Sequence, residues 1–256
     1  MARRTKRKAR SGGAGKGWLA WVLGSADNFD GYFAQSRSLA LSFVLIAPLL
    51  LLYEVALIYY PPVRAQGAGR FVRDLLSGVF HSRAGIVLNI AVVLLLLLAV
   101  FVLAKRGGLR LNLIIPMVLE SAGWAAALVG IAVLVYHRLP RFWIQMCAAG
   151  SSPVKDVIGS IGAGVYEEIL FRLFLTSALY LAGLRLFQER TGYAACFAVT
   201  ISSVVFAMCH GTTLNINFLF YFASGVFFSA LYTYRGLGVA VYTHVIYDIV
   251  VLLGRT

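Results

Sequence analysis

Along the chain, polar positions are sparse and gathered in clusters, with long apolar runs between them. Seven such runs cover roughly residues 39–60, 84–104, 112–136, 154–181, 193–210, 216–234 and 237–254. Each is near the ~20 residues a helix needs to cross the hydrocarbon core of a bilayer. Backbone groups find no water there, so they must pair within the segment, and the runs read as helices. Unbroken stretches such as VVLLLLLAVFVLA (92–104) lack the alternation of a barrel strand. The predicted fold class is therefore all-α, a polytopic transmembrane bundle of about 7–8 membrane helices.

The polar clusters between runs carry their own pattern. In the first long connection, Phe71, Leu75, Val79 and Phe80 approximate helical spacing among arginines, which predicts a short interfacial helix. Residues 138–150 (RLPRFWIQMCAAG) have a similar aromatic and basic mix and leave room for an eighth embedded segment. The Trp-rich stretch 18–24 (WLAWVLG) reads as interfacial rather than as a cleaved signal peptide, because its apolar run is too short.

Composition agrees with this picture. The chain has 256 residues, 60% hydrophobic and 13% charged, against ~25% charged in soluble domains. A soluble enzyme, a disordered chain and a disulfide-rich scaffold are excluded. The net charge is +13. Eight of the 23 Lys and Arg residues precede residue 38, and most others flank apolar runs. This is how a membrane protein marks its cytoplasmic side and meets anionic headgroups, so membrane lipid is the expected partner and nucleic acid is not. A cytoplasmic N-terminus places 14 flanking cations inside and 8 outside. Cys147, Cys196 and Cys209 form no CxxC pair and read as small hydrophobes. Three regions emerge: a basic arm with an interfacial segment (1–38), a first set of membrane helices (39–149), and a second set carrying nearly all the chemistry (150–256).

Charged groups in hydrocarbon cost at least a few kcal/mol each, so each needs a reason. The candidates are Glu54, Glu120, Glu167, Glu168, Arg172, His210, His244 and Asp248. In VYEEILFRLF, Glu168 and Arg172 are four apart and share a helix face. Glu167 points about 100° away from Glu168 on an α-helix and is the carboxylate left over. A buried, weakly paired carboxylate can serve as a general base. Both glutamates in one Arg-centred structural network is the equal alternative. Phe206 lies one turn before His210, where its ring would wall off a site from water or touch substrate. His244 and Asp248 are again four apart, a spacing that lets the carboxylate orient the imidazole. Glu54 and Glu120 read as hydrogen-bonded to a neighbouring helix or placed at headgroup level. Gly159, Gly162 and Gly164 read as small residues permitting close helix packing.

Glu167-Glu168-x-x-x-Arg172, Phe206-x-x-x-His210 and His244-x-x-x-Asp248, in this order on successive membrane helices, resemble the EExxxR, FxxxH and HxxxN/D series of the CPBP family. That family comprises type II CAAX prenyl endopeptidases and bacteriocin-processing or self-immunity relatives. The resemblance covers residues 150–254. It implies intramembrane hydrolysis of a peptide bond in a membrane-associated, prenylated or other membrane-protein substrate, with no cofactor. Glu167 and His210 would activate a water, His244 and Asp248 would stabilise the oxyanion, and Glu168, Arg172 and Phe206 would support them. It also implies an integral protein of a cellular membrane, such as a bacterial inner membrane. Where Asn is common in the prenyl-protein proteases, this chain has Asp248. An ionised Asp repels a developing oxyanion, so its expected role is to hold His244 charged and oriented. Two alternatives stay open. Glu167, His210 and His244 could ligate zinc, although HExxH is absent. A non-enzymatic membrane protein, a proton-coupled transporter or an immunity partner, could use the same polar residues.

Overall fold

The computed structural model describes residues 32–59, 111–136, 153–210 and 216–253, with single positions between 91 and 105. Among the described residues every regular element is helical. The basic arm before residue 32, the segment 18–24, the predicted helix around residues 71–80, the segment 138–150 and Cys147 lie outside the described residues, as does most of the run 84–104.

A short helix α1 (Tyr32–Ser36) leads into α2 (Leu39–Tyr59). A 3₁₀ turn at Leu111–Leu113 opens α3 (Ile114–Tyr136). Next comes α4 (Pro153–Glu167), which runs on without a break through a π-helix (Glu168–Thr176) into α5 (Ser177–Leu186). The chain then returns as α6 (Thr191–His210), α7 (Ile216–Arg235) and α8 (Leu237–Leu253). Five stretches are long and apolar enough to cross a membrane: Leu39–Ala56, Ile114–Val133, Val154–Leu186, Thr191–His210 and Ile216–Arg235, with Leu237–Leu252 a shorter apolar helix. The protein is an integral membrane protein. Its outward faces carry the apolar side chains that lipid requires, among them Leu51, Leu119, Phe174 and Leu219.

The hub of the bundle is α8, which packs on α2, α3, α4 and α7 and on the π-helix. Its first residues explain this. Leu237, Val239, Ala240, Val241 and Val245 are all buried, and a helix apolar all round belongs in a core. Gly236 takes a φ of +88° in the turn between α7 and α8, a conformation glycine adopts at no steric cost. Between α4 and α8 the backbones come close at Gly164, where an added Cβ would meet Val245 Cγ2 at 2.5 Å and the Val245 backbone nitrogen at 3.0 Å. Gly162 likewise lies against Tyr53, whereas a Cβ added at Gly159 would meet nothing within 4 Å among the described residues.

The span that begins near residue 154 is longer than its apolar run suggests, because it continues to Leu186. Glu167 lies 19 residues before Leu186, and His210 lies 19 residues after Thr191. The turn between α5 and α6 thus folds the two side chains back to the same level.

The cysteines differ from expectation. Cys196 and Cys209 are free thiols exposed on α6 rather than packed in the interior. Arg235, counted as a flanking cation, is instead buried and paired with Glu120.

Candidate active site

Glu167 and Glu168 stand at the junction where α4 gives way to the π-helix. π-Helical turns are rare, and they re-aim the residues beyond them. Here the wider turn is stabilised by hydroxyls. Thr176 Oγ1 donates to the Phe171 carbonyl at 2.7 Å, and Ser177 Oγ to the Arg172 carbonyl at 3.4 Å. The sequence shows Thr-Ser at this place but gives no periodic signal for a π-helix.

The close approach at Gly164 brings the double glutamate against His244, two turns along α8 from its start. The two carboxylates then divide around the ring. Glu168 Oε1 lies 2.9 Å from His244 Nδ1, and Glu167 Oε2 lies 4.0 Å from His244 Nε2. Glu168 Oε2 also meets Arg172 Nε at 3.2 Å, with both side chains fully buried. The i,i+4 pair expected from the sequence is therefore present, but Glu168 does more than neutralise Arg172. It is the carboxylate that accepts from Nδ1 of His244. Glu168 is the carboxylate at hydrogen-bond distance from the ring, and Asp248 Oδ2 faces the other ring nitrogen at 3.7 Å.

His210 ends α6 and approaches from the opposite side. Its Nε2 lies 3.4 Å from Glu167 Oε2. Its Nδ1 lies 2.8 Å from the Phe206 carbonyl, which can only accept, so Nδ1 carries a hydrogen and Nε2 is turned to Glu167. The Nε2 atoms of both imidazoles thus face the same carboxylate oxygen.

Phe206 is 2% exposed. Its ring packs on Phe171 and on the Arg172 guanidinium, 4.7 Å from centroid to cation. Arg172 also lies 5.8 Å from the ring of Phe228 and 6.0 Å from that of Phe171. Cation–π attraction partly replaces the hydrogen bonds that its terminal nitrogens lack. The cluster is sealed at this end and opens at the other. Side-chain exposure is 0% for Glu168 and Arg172 but 24% for His210 and 28% for Asp248. Among the described residues the cluster is thus most exposed on the side of His210 and Asp248.

Residues 150–250 match the family model described as type II CAAX prenyl endopeptidase Rce1-like. That match agrees with the CPBP resemblance of the three motifs, and its limits enclose all of Glu167, His210, His244 and Asp248. It supports a CAAX-type intramembrane endopeptidase in general. No curated protein and no solved structure matches the chain.

The remaining acids in the spans are held by partners on other helices. Glu54 accepts a hydrogen bond from the Tyr166 hydroxyl, beside Glu167. Glu120 on α3 takes a two-nitrogen contact from Arg235 at the end of α7. Glu120 Oε2 accepts from Tyr32 at 2.6 Å and its Oε1 from Trp124 Nε1 at 3.2 Å. Burial and the Glu120 carboxylate push the Tyr32 hydroxyl up to about 12, so it stays a donor. Both glutamates bind neighbouring helices, one of the two readings of their sequence positions. Among the described residues, no group of three or more His, Cys, Asp or Glu side chains is arranged to hold a metal ion.

Proposed function

We propose that the protein is an intramembrane endopeptidase that hydrolyses a peptide bond with a water activated by Glu167 and His210. The observation that carries this reading is the convergence of two imidazole Nε2 atoms on one oxygen of Glu167, at 3.4 and 4.0 Å, from two helices. A water bound between Glu167 and His210 gives up a proton to the carboxylate as its oxygen attacks the scissile carbonyl carbon. The carbonyl π electrons move onto oxygen, and His244 Nε2–H donates to that oxyanion. Its Nδ1–H is held by Glu168, which fixes the ring for this task. Collapse of the tetrahedral intermediate breaks the C–N bond, and the proton held by Glu167 passes to the leaving amine. The products are one carboxylic acid and one amine, with one water consumed, and transfer of the acid proton gives the carboxylate and ammonium forms.

Asp248 supports His244 electrostatically from 3.7 Å and does not itself donate to the oxyanion. Arg172 supplies the counter-charge that lets Glu168 remain a carboxylate in the interior. The reaction needs no cofactor in this scheme. A membrane-associated peptide is the substrate class, and the printed description of the matching family favours a prenylated C-terminal CAAX segment. The excess of Lys and Arg on one set of flanks supports a cytoplasmic N-terminus.

The test uses purified full-length protein in liposomes and a farnesylated, fluorescence-quenched peptide ending in a CAAX sequence. Cleavage is expected from the parent protein. Glu167→Gln and His210→Ala are each expected to lower kcat by about 10²–10⁴-fold while leaving the thermal transition in place. Undiminished cleavage by folded Glu167→Gln would overturn the assignment.

A further inference from the structure

The helix that lies between the two histidine-bearing helices in sequence contributes no residue to the three motifs. Yet α7 touches both imidazoles. The Tyr221 ring lies on His210 with centroids 4.4 Å apart and planes inclined by 24°. The Phe228 ring lies on His244 with centroids 4.7 Å apart and planes inclined by 21°. Tyr221 and Phe228 are seven residues apart in α7, two helical turns, so one face of one helix backs both rings. That face sits tightly on α6 because Gly225 lies between them, where an added Cβ would be 2.9 Å from Ser203 Cα.

We infer that Tyr221 and Phe228 are positioning residues that set the planes of His210 and His244, so that both Nε2 atoms point at Glu167. The inference rests on the hydrolytic reading above. The physical reason lies in how an imidazole is held. Each ring has one short in-plane contact, at Nδ1, to the Phe206 carbonyl for His210 and to the Glu168 carboxylate for His244, while the contacts at Nε2 are longer, 3.4–4.0 Å. A short contact on one side and long ones on the other leave the ring room to pivot about the line from Cβ to Nδ1. A flat aromatic neighbour removes the pivot, since tilting the imidazole drives it into the facing ring. The need is greatest at His210, which ends its helix and is 24% exposed. At His244 the backing ring is itself immobile, because Phe228 is 2% exposed and also faces the Arg172 guanidinium.

The two positions predict different signatures from those of ordinary core residues. Tyr221→Leu keeps apolar contact but loses the plane, and Tyr221→Phe keeps the plane. Phe228→Met fills a similar volume without one. In the cleavage assay with the farnesylated CAAX peptide, Tyr221→Leu and Phe228→Met are expected to lower kcat at least tenfold with KM within twofold of the parent. Tyr221→Phe is expected to restore kcat to within twofold. Imidazole nitrogen NMR spectra of the full-length protein in detergent provide a readout independent of cleavage. Tyr221→Leu should alter the His210 signals and Phe228→Met those of His244, with the other ring unchanged in each case.

Parental kcat in both variants, alongside an inactive Glu167→Gln, would overturn the positioning role and leave the hydrolytic reading standing. A rise in KM alone would also overturn it, since that marks substrate contact. If Glu167→Gln itself remains active, the hydrolytic reading falls. The spectra then decide whether α7 orients the rings, and unchanged imidazole signals would reject it.

Discussion

Glu168 and His244, 76 residues apart in the chain, meet at 2.9 Å in the interior of the bundle. The contact ties the π-helix to α8, and Arg172 lies 3.2 Å from the second oxygen of the same carboxylate. Glu168→Gln keeps the shape of the side chain and removes its charge. Arg172 then loses its directly paired carboxylate, a loss of about 3–5 kcal/mol for a buried pair of this kind. The expected outcome is a lower thermal midpoint together with reduced peptide cleavage. Scanning calorimetry or a thiol-reactive unfolding dye reads the first. An unshifted midpoint would show that Arg172 finds its charge balance elsewhere.

Asp248 offers a sharper functional contrast, because its carboxylate stands 3.7 Å from the nitrogen that faces Glu167 and is 28% exposed. Asp248→Asn replaces the electrostatic support with an amide that can itself donate to an oxyanion. Its kcat should stay within about tenfold of the parent. Asp248→Ala offers neither and should fall by about 10²-fold. Equal losses in the two variants would argue against this account of the position.

Gly164 sets the separation of α4 and α8. Alanine there places its Cβ 2.5 Å from Val245 Cγ2, and overpacking of this kind costs about 1–3 kcal/mol. Gly164→Ala should lower both stability and kcat, because it pushes Glu167 and Glu168 away from His244. Val245→Ala removes the nearest clashing atom and should recover part of each loss in the double variant. Strictly additive effects in that cycle would place the damage elsewhere.

Glu120 and Arg235 form a second, part-buried pair, held further by Tyr32 and Trp124. Removing one partner strands the other. Glu120→Gln is therefore expected to destabilise by a few kcal/mol while KM for the CAAX peptide stays at the parental value. Thermal unfolding and steady-state cleavage measured on the same sample separate the two effects.

Chelation separates the water-activating scheme from a zinc site. Prolonged dialysis of the purified protein against a strong chelator should leave kcat unchanged. Activity lost on dialysis and restored by zinc alone would assign Glu167, His210 and His244 as ligands.

Much of the fold was readable because the bilayer leaves a segment few choices. Long apolar runs must become helices, so the membrane class, the spans and the ionisable residues worth explaining all follow from local composition. The motif spacing singled out Glu167, Glu168, Arg172, His210, His244 and Asp248, and the structure gathers them at one place. Local periodicity could not say which carboxylate serves which ring. An i,i+4 spacing assigns Asp248 to His244, but the nearer partner is Glu168, delivered by the approach of α4 to α8 at Gly164.

The π-helix, the level of His210 and the stacking of Tyr221 and Phe228 on the two imidazoles were decided by tertiary structure alone. Sequence fixes which faces of a helix are apolar or polar, because that depends on residues a few positions apart. Which polar atoms meet depends on how far one backbone can approach another, and that distance is set by small residues on helices far apart in the chain.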